Sequence, residues 1–257
     1  MRYYPMFVSL ADRACLVVGA GQVGLRKIET LADCNAASIL VVDRNPPDEA
    51  LAALLKRPGL RSRLHSRLHS RLHFVQRDFQ EDDLDGIFLA IASTSSPAVN
   101  QRISDLCKER GVLCNIVDQP EACTFIVPAT VRRGDLTLAI STGGQSPALA
   151  KRIRKDLQEA FGQEYALFLD LMGRLRPLVL SLGLETNVNT EIFRALVGSR
   201  LLEALRLGDA ELAKAELAAH IPHGPAQGPA EELAPQQYAL LHAQLSEMIT
   251  EILHGPA

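Results

Sequence analysis

The sequence predicts an α/β fold: an open parallel sheet with crossover helices over the first 118 residues, then a β-hairpin and a helical region. Three observations carry this. Short apolar runs alternate with helical stretches up to about Val117. The run Ile39 to Val42 is continuously apolar, as suits a strand covered on both faces. Beyond Asp118 the pattern turns first to strands flanking a Gly turn and then to helical periodicity.

The expected strands are ACLVV (14–18), SILVV (38–42), HFVQR (73–77), GIFLAIA (86–92) and VLCNIV (112–117). Thr124 to Val131 and Leu136 to Ser141 flank Arg132-Arg133-Gly134-Asp135 and read as a hairpin. From Ser146 the chain reads helical, with Leu149, Ile153, Leu157 and Phe161 on one stripe and further apolar-periodic stretches over 168–179 and 192–207. Leu241, Leu245, Met248 and Ile252 mark an amphipathic tail helix that docks on its own domain or on a partner.

Two segments look like additions. Residues 61–73 repeat R-L-H-S, and a helix there would stack His65, His69 and His73 on one face; an expanded surface loop is the simpler reading. Residues 223–235, HGPAQGPAEELAP, read as a linker. The expected organisation is a nucleotide-binding domain over 1–118 with the 61–73 insertion, a hairpin region over 119–145, a helical domain over 146–221, and a linker with tail helix over 222–257.

At 257 residues the chain has room for about two domains. A net charge of -3 offers no general attraction to nucleic acid or anionic membrane, so an anionic ligand must be held locally. No apolar run approaches the roughly 18 residues of a membrane span. The opening segment lacks a signal-peptide core, and the expected compartment is cytoplasmic. The five cysteines form no C-x-x-C pair and read as reduced, mostly structural thiols; no resident metal site is expected.

Gly19-Ala20-Gly21-Gln22-Val23-Gly24 follows the first strand and opens a helix, the context that a G-x-G-x-x-G dinucleotide motif requires. Asp43 ends the next strand, near the offset of about 20 residues at which an acid takes the adenosine ribose hydroxyls. Its carboxylate favours NAD, while Arg44 beside it keeps NADP open. Thr94 lies past the fourth strand at the ligand edge of such a sheet, within a Ser93 to Ser96 cluster that equally suits helix capping. Asn115 and Asp118 bracket the end of the fifth strand: Asn115 is a candidate substrate contact, and the carboxylate serves as a proton acceptor or simply forms an Asx turn. Thr142 to Pro147 precedes a helix, with Ser146 a natural N-cap; the same end suits a substrate carboxylate. Lys151, Arg152, Arg154 and Lys155, with Arg132 and Arg133, form either a solvated face or an acidic-ligand surface.

PMFVSL from Pro5, VVGAGQVGLRK, FLAIASTSS followed by VNQRISD, CNIVDQP, FIVPA and LAISTGGQSPALAKRIR stand in one order over residues 5–154. In these segments the chain resembles the precorrin-2 dehydrogenase/sirohydrochlorin ferrochelatase family, including the N-terminal part of siroheme synthase. The resemblance implies a Rossmann domain, a dimerisation region around the hairpin, and a helical domain that helps close the active site between subunits of a homodimer. It implies NAD contacts at Gln22, Val23, Asp43 and Arg44, Asp118 as catalytic aspartate, and a reduced tetrapyrrole carrying many carboxylates as substrate, with ferrous iron a further substrate where the member also chelates. The chain departs from the pattern in the R-L-H-S insertion and in Thr142, where some members have serine; nothing resembling the methyltransferase half follows. The readings this leaves open are a non-catalytic NAD sensor and a dehydrogenase of a small metabolite.

Overall fold

The computed structural model describes residues 3–57, 61–64, 67–221 and 235–254. It forms two compact units, divided between Val127 and Pro128.

The first unit runs β1 (Ala14–Val18), α1 (Gln22–Asp33), β2 (Ser38–Asp43), α2 (Glu49–Lys56), β3 (Arg61–Leu64), β4 (Arg67–Ser70), β5 (Leu72–Gln76), β6 (Leu89–Ala92), α3 (Pro97–Arg110) and β7 (Leu113–Ile116). Five strands pair in parallel in the order β5-β2-β1-β6-β7, with Val17 opposite Val41 on one side and Ile91 on the other. Strand side chains alternate between faces. Cys15 and Val17 enter one core with Ile28, Ile39 and Leu51, while Leu16 and Val18 enter the other with Val42, Ala90 and Ile103. Both faces are dry, which is why the strand segments read as unbroken apolar runs. β3 and β4 form a separate antiparallel pair within the R-L-H-S repeat, so the described part of the repeat is strand rather than helix; His65 lies outside the described residues. None of the five cysteines forms a disulfide.

The second unit holds β8 (Ala129–Arg133), β9 (Leu136–Ile140), α4 (Pro147–Ala160), α5 (Glu164–Ser181), α6 (Thr186–Gly198), α7 (Leu201–Leu207), α8 (Ala210–His220) and α9 (Pro235–His254). The hairpin starts at Ala129 rather than Thr124. Pro128 has no N–H to give a ladder, and Thr124 is taken by β7, its N–H donating to the Cys114 carbonyl at 2.8 Å and its Oγ1 accepting from Cys114 N at 2.7 Å. The stretch 192–207 is two helices, not one. Ser199 breaks it, its Oγ accepting from Leu201 N at 3.1 Å, and the turn lets Leu196 and Leu201 both reach zero exposure in one core. That core gathers Leu171, Leu175, Leu196, Leu205 and Leu217 with Leu241, Leu245, Ile249 and Ile252 of α9, so the tail helix docks on its own unit. Of the linker, only Pro235 lies within the described residues. No helix among the described residues is long and apolar enough to cross a membrane.

Leu245 is 3% exposed in this cluster. Leu245→Ala is expected to cost about 2–5 kcal/mol, the usual range for emptying a buried leucine site, measured as a shift of the denaturant midpoint. An unchanged midpoint would show that α9 does not pack there.

Candidate functional site

The sheet reverses its strand order between β1 and β6, and a crevice opens outside the carboxyl ends of the strands there, as such sheets require. The glycine loop leaving β1 builds its floor. Gly19 has φ +93°, and a Cβ on it would meet the Ser93 carbonyl carbon at 2.7 Å. A Cβ on Gly24 would stand 2.0 Å from the Gly19 carbonyl oxygen and 2.8 Å from Ser93 Oγ. These two glycines are therefore set by packing: they let α1 close onto β1 and β6. Ser93 latches the arrangement, its hydroxyl donating to Gly19 O at 2.7 Å. Gly21 is different. It is the N-cap of α1, no side chain caps that end, and a Cβ there would meet nothing within 4 Å. Open space before an uncapped helix start is what a diphosphate needs to approach backbone N–H groups and the positive end of the helix.

Asp43 ends β2 beside this loop. Its Oδ2 accepts from Ala20 N at 2.6 Å and its Oδ1 from Asn45 N at 2.8 Å, so the carboxylate is fixed to the glycine loop as well as facing the crevice. A carboxylate has acceptor capacity left after two bonds, and the ribose hydroxyls fit it. The cleft measures about 750 Å³, within the roughly 300–1,000 Å³ of small-molecule sites. Gly19, Gly21, Asp43, Arg44 and Thr94 line it together. Thr94 is also structural, donating from Oγ1 to Asn100 Oδ1 at 2.7 Å, while Ser96 caps α3.

The opposite wall was not legible beforehand. Arg77, Asp78, Phe79 and Glu81, which follow β5, and Arg102 of α3 complete the cleft. The signal available was their position: residues just past a parallel strand sit at its ligand edge. Their ion pairing carried no sequence signal. Arg44 pairs with Asp78 at 3.5 Å, Arg77 with Asp83, and Arg102 with Glu81. Burial pushes the Asp83 carboxyl up, but hydrogen bonds from Arg77 and from Gln80 N outweigh it and hold the group below its ordinary value.

Other expected residues lie off the cleft wall. Gln22 and Val23 open α1 and are exposed. Asn115 is half-buried and donates from Nδ2 to the Phe125 carbonyl at 3.1 Å, bracing the segment that follows β7. Asp118 is exposed just beyond that strand with φ +61°, and Val117 N donates to the Ala92 carbonyl at 3.0 Å, which ties this turn to the end of β6. Cys123 fastens the turn: its sulfur accepts from Ile116 N at 3.1 Å and its S–H faces the Ile116 and Gln119 carbonyls, while burial pushes the thiol up. In the second unit Ser146 caps α4, accepting from Leu149 N at 3.2 Å, and Thr142 Oγ1 accepts from Ser146 N at 3.2 Å. Arg133 is spent on the Phe161 and Gln158 carbonyls.

Gly24→Ala is expected to lower NAD affinity more than about tenfold, since a Cβ 2.0 Å from the Gly19 carbonyl oxygen forces a backbone shift in the glycine loop; a calorimetric titration with affinity unchanged would refute the packing argument. Asp83→Asn is expected to cost roughly 1.5–3 kcal/mol at neutral pH. The folded carboxyl titrates below its unfolded value of about 3.9, so its contribution is complete above that value and disappears as pH falls through the lower folded one. Denaturant curves of wild type and variant should therefore converge in acid; a constant gap would count against the pairing.

Comparison with known proteins agrees with this geometry. Residues 6–129 match the NAD(P)-binding family and residues 133–160 the central region of sirohaem biosynthesis proteins. Siroheme synthase of Thioalkalivibrio sulfidiphilus is 33% identical over 217 residues, covering 84% of this chain and 42% of the relative. That of Azotobacter vinelandii is 35% identical over 224 residues, covering 84% and 45%. The chain thus spans less than half the length of these relatives. The solved structure of SirC, a precorrin-2 dehydrogenase, superposes with a TM-score of 0.66 at 25% identity, covering 85% of this chain and 98% of that one. In sequence the chain is thus similar to siroheme synthases, and in fold to this precorrin-2 dehydrogenase.

Proposed function

We propose that the chain oxidises precorrin-2 to sirohydrochlorin with NAD as oxidant and Asp118 as the base. The observation that carries the reading is the glycine-floored cleft with Asp43 fixed at its rim, in a chain whose fold matches SirC over 98% of the latter's length.

When bound, NAD takes up the hydride lost by the substrate. Everything else falls to the chain's own groups. Backbone N–H groups at the start of α1 hold the pyrophosphate, and Asp43 holds the ribose hydroxyls. The Asp118 carboxylate accepts the proton that leaves with the hydride and passes it to solvent, to which it is open. Its left-handed backbone suits Asp and Asn better than any other side chain-bearing residue. Thr142, Ser146 and the N-terminus of α4 take substrate carboxylates, with Lys151 and Lys155 nearby on the same helix; Asn115 keeps the Asp118 turn in shape.

We assign the activity to a cytoplasmic homodimer. Support comes from five cysteines outside any disulfide, from a hairpin that has no third strand among the described residues, and from α4, which buries none of its residues despite its apolar stripe. Ferrous iron, as a second substrate, would displace pyrrole protons onto the same Asp118.

The test is anaerobic incubation with precorrin-2 and NAD, following NADH and the tetrapyrrole spectrum, then adding ferrous iron. Sirohydrochlorin formation dependent on NAD is expected, and Asp118→Asn should slow it by about 10²–10⁴-fold, the range of a general base, while NAD still binds. NAD binding with no turnover in the wild type would leave a nucleotide sensor instead. Sirohaem formation no faster than in the enzyme-free control would remove the iron step alone.

A further inference from the structure

Two cations flank Asp43 at the edge of the sheet where the adenosine ribose of NAD belongs. Arg44 follows it directly. Arg77 follows β5, whose Gln76 is the register partner of Asp43, and its N–H donates to the Asp43 carbonyl at 2.9 Å. An arginine in this region is the usual means of accepting the 2′-phosphate of NADP. Here both are engaged. Arg44 Nε lies 3.5 Å from Asp78 Oδ1, and Arg77 binds both oxygens of Asp83 at 2.8 and 2.5 Å. Farther along the wall, Arg102 holds Glu81 through two nitrogens. Asp43 cannot be turned aside cheaply to admit a phosphate, because both its oxygens accept backbone hydrogen bonds. The lining thus carries three arginines and three carboxylates, Asp43, Asp78 and Glu81, and presents no net positive charge to a phosphate.

We propose that Asp78 is a specificity-determining residue that, with Asp43, makes the cleft reject nucleotides bearing a 2′-phosphate. It does so in two ways: it occupies the Arg44 guanidinium, and it adds its own negative charge to the wall. The inference rests on the cleft being the NAD site. Asp78 is the informative position because its side chain is 82% exposed and supports no core, whereas Asp83 is buried and its loss is felt as instability.

The test is calorimetric titration of the full chain with NAD and with NADP, for wild type, Asp78→Asn, and Asp78→Asn combined with Arg44→Ala. An exposed ion pair is weak, but a 2′-phosphate brings close to two charges against Asp78, so the ratio of NADP to NAD affinity is expected to rise about five- to tenfold in Asp78→Asn. Most of that gain should vanish when Arg44 is also removed. An unchanged ratio in Asp78→Asn, or a gain that survives intact without Arg44, overturns the proposal while leaving the NAD site standing. Wild-type protein that binds neither nucleotide overturns both.

Discussion

The rest of the first unit depends on one steric constraint, the approach of α1 to the ends of β1 and β6. At Gly24 the distance available to a Cβ is 2.0 Å, and at Gly19 it is 2.7 Å. No side chain fits either gap, so the helix can begin where it does only because two hydrogens stand in for side chains. From that contact the other features follow. The helix start is aimed at the crevice, Ser93 is close enough to latch Gly19, and Ala20 presents its N–H to Asp43. The floor of the cleft is in this sense a by-product of how tightly a helix packs on a parallel sheet, and the ligand site inherits its rigidity from the packing.

Burial and local geometry were legible because they are written in nearest neighbours. Strands covered on both faces read as apolar runs, as Leu16 and Val17 facing opposite cores illustrate. Ser146 and Pro147 read as a helix start because capping is a three-residue affair. What escaped was side-chain pairing across elements. Arg102 meets Glu81 over 21 positions and Arg206 meets Glu164 over 42, and no spacing rule connects them. The turn at Ser199 escaped for another reason: Ile192, Leu196 and Leu207 keep a helical rhythm through it, although Leu207 is exposed and it is Leu201 and Leu205 that are buried.

Asn115, a candidate substrate contact, also has a structural task, which it shares with Thr124. Both polar groups follow or lie on β7, and each is used to fold the chain back on that strand, Thr124 against Cys114 and Asn115 against Phe125. Cys123 adds a third tie. Three side chains thereby stabilise a turn in which Asp118 keeps a positive φ while remaining exposed. Such a conformation costs energy and is retained only where the surroundings over-determine it. The carboxylate we propose as the base is thus held by the hydrogen bonds of its neighbours.

Anion recognition is divided accordingly. Around the candidate nucleotide cleft the arginines are paired with Asp78, Asp83 and Glu81, so on the proposed reading the pyrophosphate falls to backbone N–H groups and the dipole of α1. On α4 the balance is the reverse: Lys151 and Lys155 enter no ion pair among the described residues, and the pair Arg152–Asp156 is long, at 4.0 Å. Free lysines on a helix are mobile point charges that tolerate carboxylates at varied positions, the property that a tetrapyrrole with carboxylates around its rim calls for. On the proposed function, a mildly acidic chain handles two polyanions without a basic surface overall, its arginines fixed around the nucleotide cleft and its α4 lysines outside any ion pair among the described residues.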